Sequence, residues 1–410
     1  MKAKVCAAID AWAAKVEALA QDIEREPELG FKETKTAAKV TAFLQQLGLT
    51  PQTGLALTGV KARVVSGRPG PTVAVLGELD AIGCPDSCKA DPLTGAAHAC
   101  GHNLQVATMA AVACGITQSG VLSELSGDAV FFGVPAEEYV ELAYRNKLIK
   151  EGKLHFLTGK GQLIYEGAFD DIDMAMQMHA DKNMPAATVS IGESSNGFIG
   201  KTIQYVGKTA HAASCPEKGI NALNSVIQLF NGIDALRQHV TPDVKMHGII
   251  TKGGVAANIV PDEAVADFYF RASTKERVTE VIEKVKKIAE GAALMTGATL
   301  EMERYELPYD DLKTNEKLSE MFNENLRALG ITDINPGKAT GGSSDIGNVS
   351  HVAPTIHPYI GITDCPMIGH SVEMAKATTT KKAHDRLLIA ALAMAYTGYD
   401  VIVRNESLRK

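Results

Sequence analysis

Four short clusters in this chain carry residue types that metal-assisted hydrolysis uses. Cys100 and His102 stand one residue apart in the run His98-Ala-Cys-Gly-His-Asn103. A thiolate and an imidazole at alternate positions of a turn can meet one metal ion or straddle two. Alone the spacing is a weak signal. Glu137 and Glu138 follow Val134-Pro-Ala. Adjacent glutamates are ordinarily solvated surface charges, but these follow an apolar run and a proline instead of lying in a charged helix. Two neighbouring carboxylates can divide the work of hydrolysis, one binding metal while the other takes a proton from an activated water. His179 follows Met174-Ala-Met-Gln-Met, His370 lies in Ile368-Gly-His-Ser371, and Asp80 lies in Gly77-Glu-Leu-Asp-Ala81. A lone histidine at either place is more often a hydrogen-bonded core or surface group. The conjunction carries the inference, not any single cluster.

The elements that must position these groups can be read from periodicity. Ile9, Trp12, Val16, Leu19 and Ile23 recur at steps of three and four, which predicts a helix. A second helix is predicted from about Glu33 to Leu47, ending at Gly48. Thr72-Val-Ala-Val-Leu76 is a short apolar run between Gly70-Pro71 and Gly77, the pattern of a buried strand. A helix after Asn103 and a strand from Asp128 to Gly133 continue the alternation. This order predicts an α/β fold with a mainly parallel sheet, and the four clusters fall at strand ends or in loops, where such proteins place their sites.

Residues 198 to 305 have an order of their own. Strand, helix, strand, strand, helix, strand is the split-βαβ unit of ferredoxin-like domains. Its first helix shares Ile220, Leu223, Ile227 and Phe230 on one face, and its second Val278, Val281, Ile282, Val285 and Ile288. The predicted architecture is therefore a catalytic domain of residues 1–197 and 306–410, with residues 198–305 inserted as a lid and dimerisation domain. The 410 residues exceed the usual growth of a single core.

Composition bounds the remaining classes. A net charge of −7 argues against nucleic acid or an anionic membrane as partner. No apolar run is expected to approach the ~18 residues that span a bilayer, and a cytoplasmic enzyme is the natural expectation. The seven cysteines form no disulfide framework. Cys84 and Cys88 lie near the cysteine–histidine run, where a structural zinc is conceivable, but a Pro/Asp-rich loop with free thiols is the simpler account. The stretch between Leu142 and Phe169, with Lys147, Lys150, Lys153 and Lys160, reads as a solvated helix and loop, or else as part of a substrate mouth.

With these residues in view, the sequence resembles the aminoacylase and carboxypeptidase-G type metallopeptidases and amidohydrolases. It is most similar to the branch of aminobenzoyl-glutamate hydrolases and hydrolases of auxin–amino-acid conjugates. The resemblance covers Gly77 to Asp80, His98 to Asn103, Pro135 to Glu138, Met178-His179, and Gly207-Lys-Thr-Ala-His211. It extends over Gly253 to Asn258 with Pro261, Gly341-Gly-Ser-Ser-Asp345, and Gly369-His-Ser371. Asn103, where many relatives have Asp, and Leu76-Gly-Glu78, where many have Arg-Ala-Asp, are features of that branch.

The resemblance implies roles. Cys100, His102, Glu138, His179 and His370 would share two divalent ions, Mn2+ or Zn2+. Glu137 would be the general base and acid, and Asp80 would orient a metal-ligating side chain. His211 would polarise the substrate carbonyl, reaching the other subunit of a homodimer formed through the lid. Asn258 and Arg271 would hold a substrate carboxylate, a task that suits the guanidinium fork. His98, His351 and His357 stay outside the site.

The function this implies is cleavage of the amide bond of an N-acyl or N-aroyl amino acid, or a similar peptide-like conjugate. An alternative uses the same centre as an aminohydrolase, releasing an amine or ammonia from an aromatic or amidine substrate. A third, an inactive binding protein, predicts decayed ligands, whereas all five ligands and Glu137 are present.

Overall fold

The computed structural model describes residues 1–181, 184–185, 188–304, 309–337 and 342–404. Gly341 of the glycine–serine block and the sequence-based domain limit near residue 306 lie outside them. The chain divides into two compact units.

The first unit comprises Met1–Ser194, Leu312–Ala339 and Asn348–Lys410. Its main sheet runs in the order Gln52–Leu55, Gly59–Val64, Asp128–Val134, Thr72–Glu78, Met174–Gln177, Thr355–Ile356. The first two pairings are antiparallel and the other three parallel, so the sheet is mainly parallel. Every residue of Thr72–Glu78 is buried, as expected of a strand covered on both faces. The helix His102–Gln118 is buried through almost its whole length and packs on that strand. Small residues make the approach possible, and a Cβ on Gly77 would stand 2.9 Å from the Cα of Val106.

Helices Lys2–Arg25 and Lys381–Arg404 flank the buried helix. The latter departs from the expectation that no segment is long and apolar enough to cross a membrane. The most apolar 18-residue window within Lys381–Val403 has a mean hydropathy of 1.5, but 61% of that window is buried, and Leu387, Ala391, Met394 and Ala395 join the core. Core burial accounts for its apolar face.

A smaller sheet in the same unit orders Ile334–Pro336, Val189–Ile191, Tyr359–Gly361 and His179–Asp181. His179 thus opens a strand, in register with Tyr359. The stretch after Leu142 differs from a solvated segment. It forms helices Leu142–Lys150 and Gly159–Tyr165, and both Arg145 and Lys160 are fully buried.

The second unit comprises Ser195–Asp311 and Thr340–Gly347. Its order is Gly197–Val206, Ala222–Leu236, Lys245–Lys252, Glu263–Ala272, Lys275–Thr296 and Thr299–Arg304, that is, β-α-β-β-α-β. The four strands make one antiparallel sheet in the order second, third, first, fourth. Strict alternation of burial along Glu263–Ala272 shows one face covered by the two helices. Asn221 and Thr274 cap the helix N-termini through their side chains, and Gly297 ends the second helix in a left-handed conformation. Gly342 and Ser343 bond locally within this unit. Ser343 accepts from Arg271, and the carbonyl of Gly342 accepts the N–H of Asn196.

Candidate metal centre

Three parallel strands of the main sheet end on the same side and deliver the first groups. Thr72–Glu78 runs into Glu78 and Asp80, Asp128–Val134 into Glu137 and Glu138, and Met174–Gln177 into His179. The N–H of Leu79 donates to the carbonyl of Val134, which ties the first two strand ends together. His102 is the first residue of its helix, after Gly101 at φ 90°. Ala136 at φ 52° and His370 at φ 60° occupy the left-handed region without being glycine, at a cost of about 1–2 kcal/mol each. Such strain is held by surrounding bonds: the N–H of His370 donates to the carbonyl of Ala99, and that of Ala136 to Glu33 Oε1.

The side chains converge. The ligand atoms of Cys100, His102 and His179 lie within 4.8 Å of one another, as do those of Cys100, Glu138 and His370. Cys100 belongs to both groups. Its Sγ is 3.4 Å from His179 Nε2, and His370 Nε2 is 3.2 Å from Glu138 Oε1. A third group joins Glu78, His102 and Glu137. All of these residues belong to the first unit.

The donor set fits divalent ions. Among the described residues, His102 Nε2 and Glu138 Oε1 are buried and lack a hydrogen-bond partner, although Glu78 Oε2 lies 2.9 Å from the first and His370 Nε2 3.2 Å from the second. Atoms so close yet off the hydrogen-bond direction point towards a common third position. Thiolate, imidazole and carboxylate together suit zinc or manganese. Burial and the charge of Glu138 push the Cys100 thiol well above its ordinary range, so a cation is what would make it a thiolate.

Asp80 serves both sides of the centre. Its backbone carbonyl is 2.9 Å from His102 Nδ1, its Oδ1 is 3.4 Å from the same nitrogen, and its Oδ2 accepts the N–H of Glu138 at 2.8 Å. Burial opposes its charge, but the bonds from His102 and Glu138 hold its carboxyl below the usual value. Burial also works against a charged His102, yet Glu78 and Cys100 raise its pKa well above normal. Burial lowers His179, and drives His98 and His357 down to about 3, so these last two are neutral imidazoles.

Several supporting groups were not foreseen. Arg145 is fully buried, donates to the carbonyls of Leu157 and Glu138, and lies over the Phe31 ring. Glu78, which the sequence marked only as a feature of the branch, is surrounded by Lys160, Gln105, Gln177 and His102. Gly159 makes the approach of Lys160 possible, because a Cβ there would stand 1.7 Å from the carbonyl oxygen of Pro135. Buried lysine and arginine in polar-looking helices leave no periodic mark. The one available signal was a carboxylate two residues before Asp80 at the end of a wholly apolar strand. Cys84 packs with Ala97, Ala99 and Ala375.

The other candidate residues lie in the second unit. His211 and Asn258 are neighbours there: His211 pairs with Ile259, and the carbonyl of Asn258 accepts the N–H of Ala212. Both are exposed. His211 Nδ1 accepts the N–H groups of Ala213 and Ser214, each at 3.2 Å. Arg271 pairs with Phe198 across the sheet, its guanidinium lies over that ring, and Nη1 donates to Ser343 at 2.9 Å.

Comparison with known proteins agrees with this architecture. A family model described as a peptidase dimerisation domain matches residues 194–295. The chain is 33% identical over 329 residues to the Xaa-Arg dipeptidase of Homo sapiens, covering 78% of this chain and 70% of that protein. It is 29% identical over 277 residues to one of the component chains of the p-aminobenzoyl-glutamate hydrolase of Escherichia coli (strain K12), covering 66% and 53%. Among solved structures, a dinuclear metal-binding peptidase of the M20 family from Bacillus subtilis has the same fold. It superposes with TM-score 0.72 at 21% identity, over 96% of this chain and 99% of the other.

Proposed function

The chain belongs to the M20 family of metallopeptidases and amidohydrolases, and we propose that it cuts the amide bond of an N-acyl or N-aroyl amino acid, or of a dipeptide, with Glu137 as general base. It is a metal-dependent hydrolase of C–N bonds. The observation that carries the assignment is the convergence of Cys100, His102, Glu138, His179 and His370 into two groups that share Cys100, with Glu137 next to Glu138 in the chain. Those five residues would hold two divalent ions, manganese or zinc. When bound, such ions polarise a carbonyl oxygen and acidify a water.

The protein's own residues do the remainder. Glu137 removes a proton from the attacking water and delivers it to the departing amide nitrogen, which must leave as an amine. Asp80 keeps His102 oriented through Nδ1, so that Nε2 is presented to the ion. We assign to His211 polarisation of the carbonyl, and to Asn258 and Arg271 recognition of the substrate carboxylate. Arg271 suits that task because its fork can donate two parallel bonds. A homodimer through the second unit and a cytoplasmic setting complete the proposal. The matched dimerisation domain supports the first.

The substrate class follows from the relatives' names, one a dipeptidase for Xaa-Arg and another a hydrolase of p-aminobenzoyl-glutamate. A panel of acyl-glutamates, acyl-leucines, Xaa-Arg dipeptides and aminoaromatics, read by mass spectrometry and ammonia release, tests it. Release of a free amino acid is the expected result, and ammonia release without it would favour the aminohydrolase alternative. Glu137→Gln should keep its metal and lose turnover by about a thousand-fold. Unchanged turnover would remove Glu137 from the mechanism.

A further inference from the structure

Glu78 is among the most protected charges in the molecule, with 1% of its surface exposed. Its Oε1 accepts from Lys160 Nζ at 2.6 Å and from Gln177 Nε2 at 2.7 Å. Its Oε2 accepts from Gln105 Nε2 at 2.8 Å. Lys160, itself fully buried, faces this carboxylate from the start of the helix Gly159–Tyr165. Two buried charges are stable only when paired and hydrogen-bonded, and this pair meets both conditions. Among the described residues, these bonds use both lone pairs of Oε1 and one of Oε2.

The remaining side of Oε2 faces the metal centre. It lies 2.9 Å from His102 Nε2, yet among the described residues that nitrogen has no partner in hydrogen-bond geometry, so the contact is not a directed N–H···O bond. Two donors held by one ion at about 2.1 Å each stand about 3 Å apart when they occupy adjacent octahedral positions. Glu78 Oε2 and His102 Nε2 have that separation. The ligand atoms of Glu78, His102 and Glu137 also lie within 4.8 Å of one another.

We propose that Glu78 is a further metal-ligating residue, sharing an ion with His102, and that Lys160 is the positioning residue that aims it. This rests on the two-metal reading of the site. Lys160 and Gln177 fix Oε1 and so fix the rotation of the carboxylate, and Gln105 fixes its tilt. Lys160 also brings a positive charge to a site rich in carboxyl groups, namely Glu78, Asp80, Glu137 and Glu138. A lysine suits a single-oxygen contact because its ammonium acts as a point charge without a fork.

The test is metal binding by the full chain, independent of turnover. Wild-type protein dialysed against Mn2+ or Zn2+ should hold two ions by mass spectrometry of the metals. Glu78→Gln preserves shape and should retain one ion tightly, with affinity for the other reduced ten- to a hundred-fold in chelator competition. With Co2+ in place, the ligand-field absorption of Glu78→Gln should differ from that of wild type, a change that mere loosening of the fold would not produce. Lys160→Met should shift the same spectrum in the same direction. If Glu78→Gln does not fold, Glu78→Asp takes its place, because a shortened carboxylate should weaken one ion and alter the spectrum.

Two ions bound at wild-type affinity with an unchanged Co2+ spectrum in a folded Glu78 variant would overturn the ligand assignment. An unchanged spectrum in folded Lys160→Met would overturn the positioning role. A wild-type protein that binds fewer than two ions would instead overturn the two-metal reading, so the failures are distinguishable.

Discussion

The carboxylate of Asp80 accepts the backbone N–H of Glu138 at 2.8 Å, while the backbone carbonyl of Asp80 takes the Nδ1 edge of His102 at 2.9 Å. One residue at a strand end therefore positions Glu138 from the neighbouring strand and His102 from the following helix. The separation of these two side chains depends on the strand register, which pairs Glu78 with Val134.

Asp80→Ala should release the Glu138 backbone while leaving the bond from His102 to the residue 80 carbonyl. Metal affinity should fall by about ten- to a hundred-fold, the usual effect of losing a group that orients a ligand. Asp80→Asn can still accept the N–H of Glu138 and should lose less. Chelator competition measures both. Equal affinities for Asp80→Ala and wild type would show that the strands alone hold Glu138 in place.

Cys100 belongs to both candidate ligand groups, whereas His179 and His370 each belong to one. Cys100→Ala should therefore weaken both ions, and His370→Ala should weaken one and spare the other. Titration with Mn2+ or Zn2+ by calorimetry separates these cases. A single weakened site in Cys100→Ala would mean that the thiolate serves one ion only.

The clusters that converge in the candidate centre were legible in the sequence because chemistry-bearing residues there interrupt apolar runs: Glu137-Glu138 after Asp128–Val134, and His179 after Met174–Gln177. The β-α-β-β-α-β order was legible for a related reason, since burial in Glu263–Ala272 alternates with period two and its helices carry clean apolar faces. Lys160 and Arg145 were not legible. A buried cation is recognised by its partners, and those partners, Glu78 and the carbonyls of Glu138 and Leu157, are distant in sequence or belong to the backbone. The apolar character of the helix Lys381–Arg404 was not legible as a run because Thr397, Gly398 and Asp400 interrupt it, although its inner face is continuous.

Arg145 suggests a stability experiment. Its guanidinium, fully buried, donates to the carbonyls of Leu157 and Glu138. Arg145→Met fills similar space but removes the donor to the Leu157 carbonyl and leaves the Glu138 carbonyl with the N–H of Val140, which should cost about 2–3 kcal/mol. Arg145→Lys should recover only part, because one ammonium cannot span both carbonyls. Urea unfolding monitored by circular dichroism gives the values. A midpoint for Arg145→Met equal to wild type would mean that water replaces the guanidinium without loss.

Glu33 should make stability depend on pH near neutrality. It is fully buried, with Oε1 accepting the N–H of Ala136 at 2.8 Å and Oε2 accepting the hydroxyl of Thr58 at 2.6 Å. Burial and then the nearby charge of Asp80 raise its pKa from 4.5 to about 7. The folded state therefore holds its proton more tightly than the unfolded state does. Below pH about 4.5 both states are protonated and no penalty exists. As pH rises from there to about 7, the unfolded chain releases the proton first, and stability declines by roughly 3 kcal/mol before levelling off. Glu33→Gln keeps the shape, and its amide can accept from Ala136 and donate to the Thr58 hydroxyl, but it cannot ionise. Its stability relative to wild type should therefore improve between pH 5 and pH 8, as read from urea midpoints at the two values. A constant difference across that window would mean that Glu33 stays ionised in the folded protein, and that its bonds to Ala136 and Thr58 outweigh its burial.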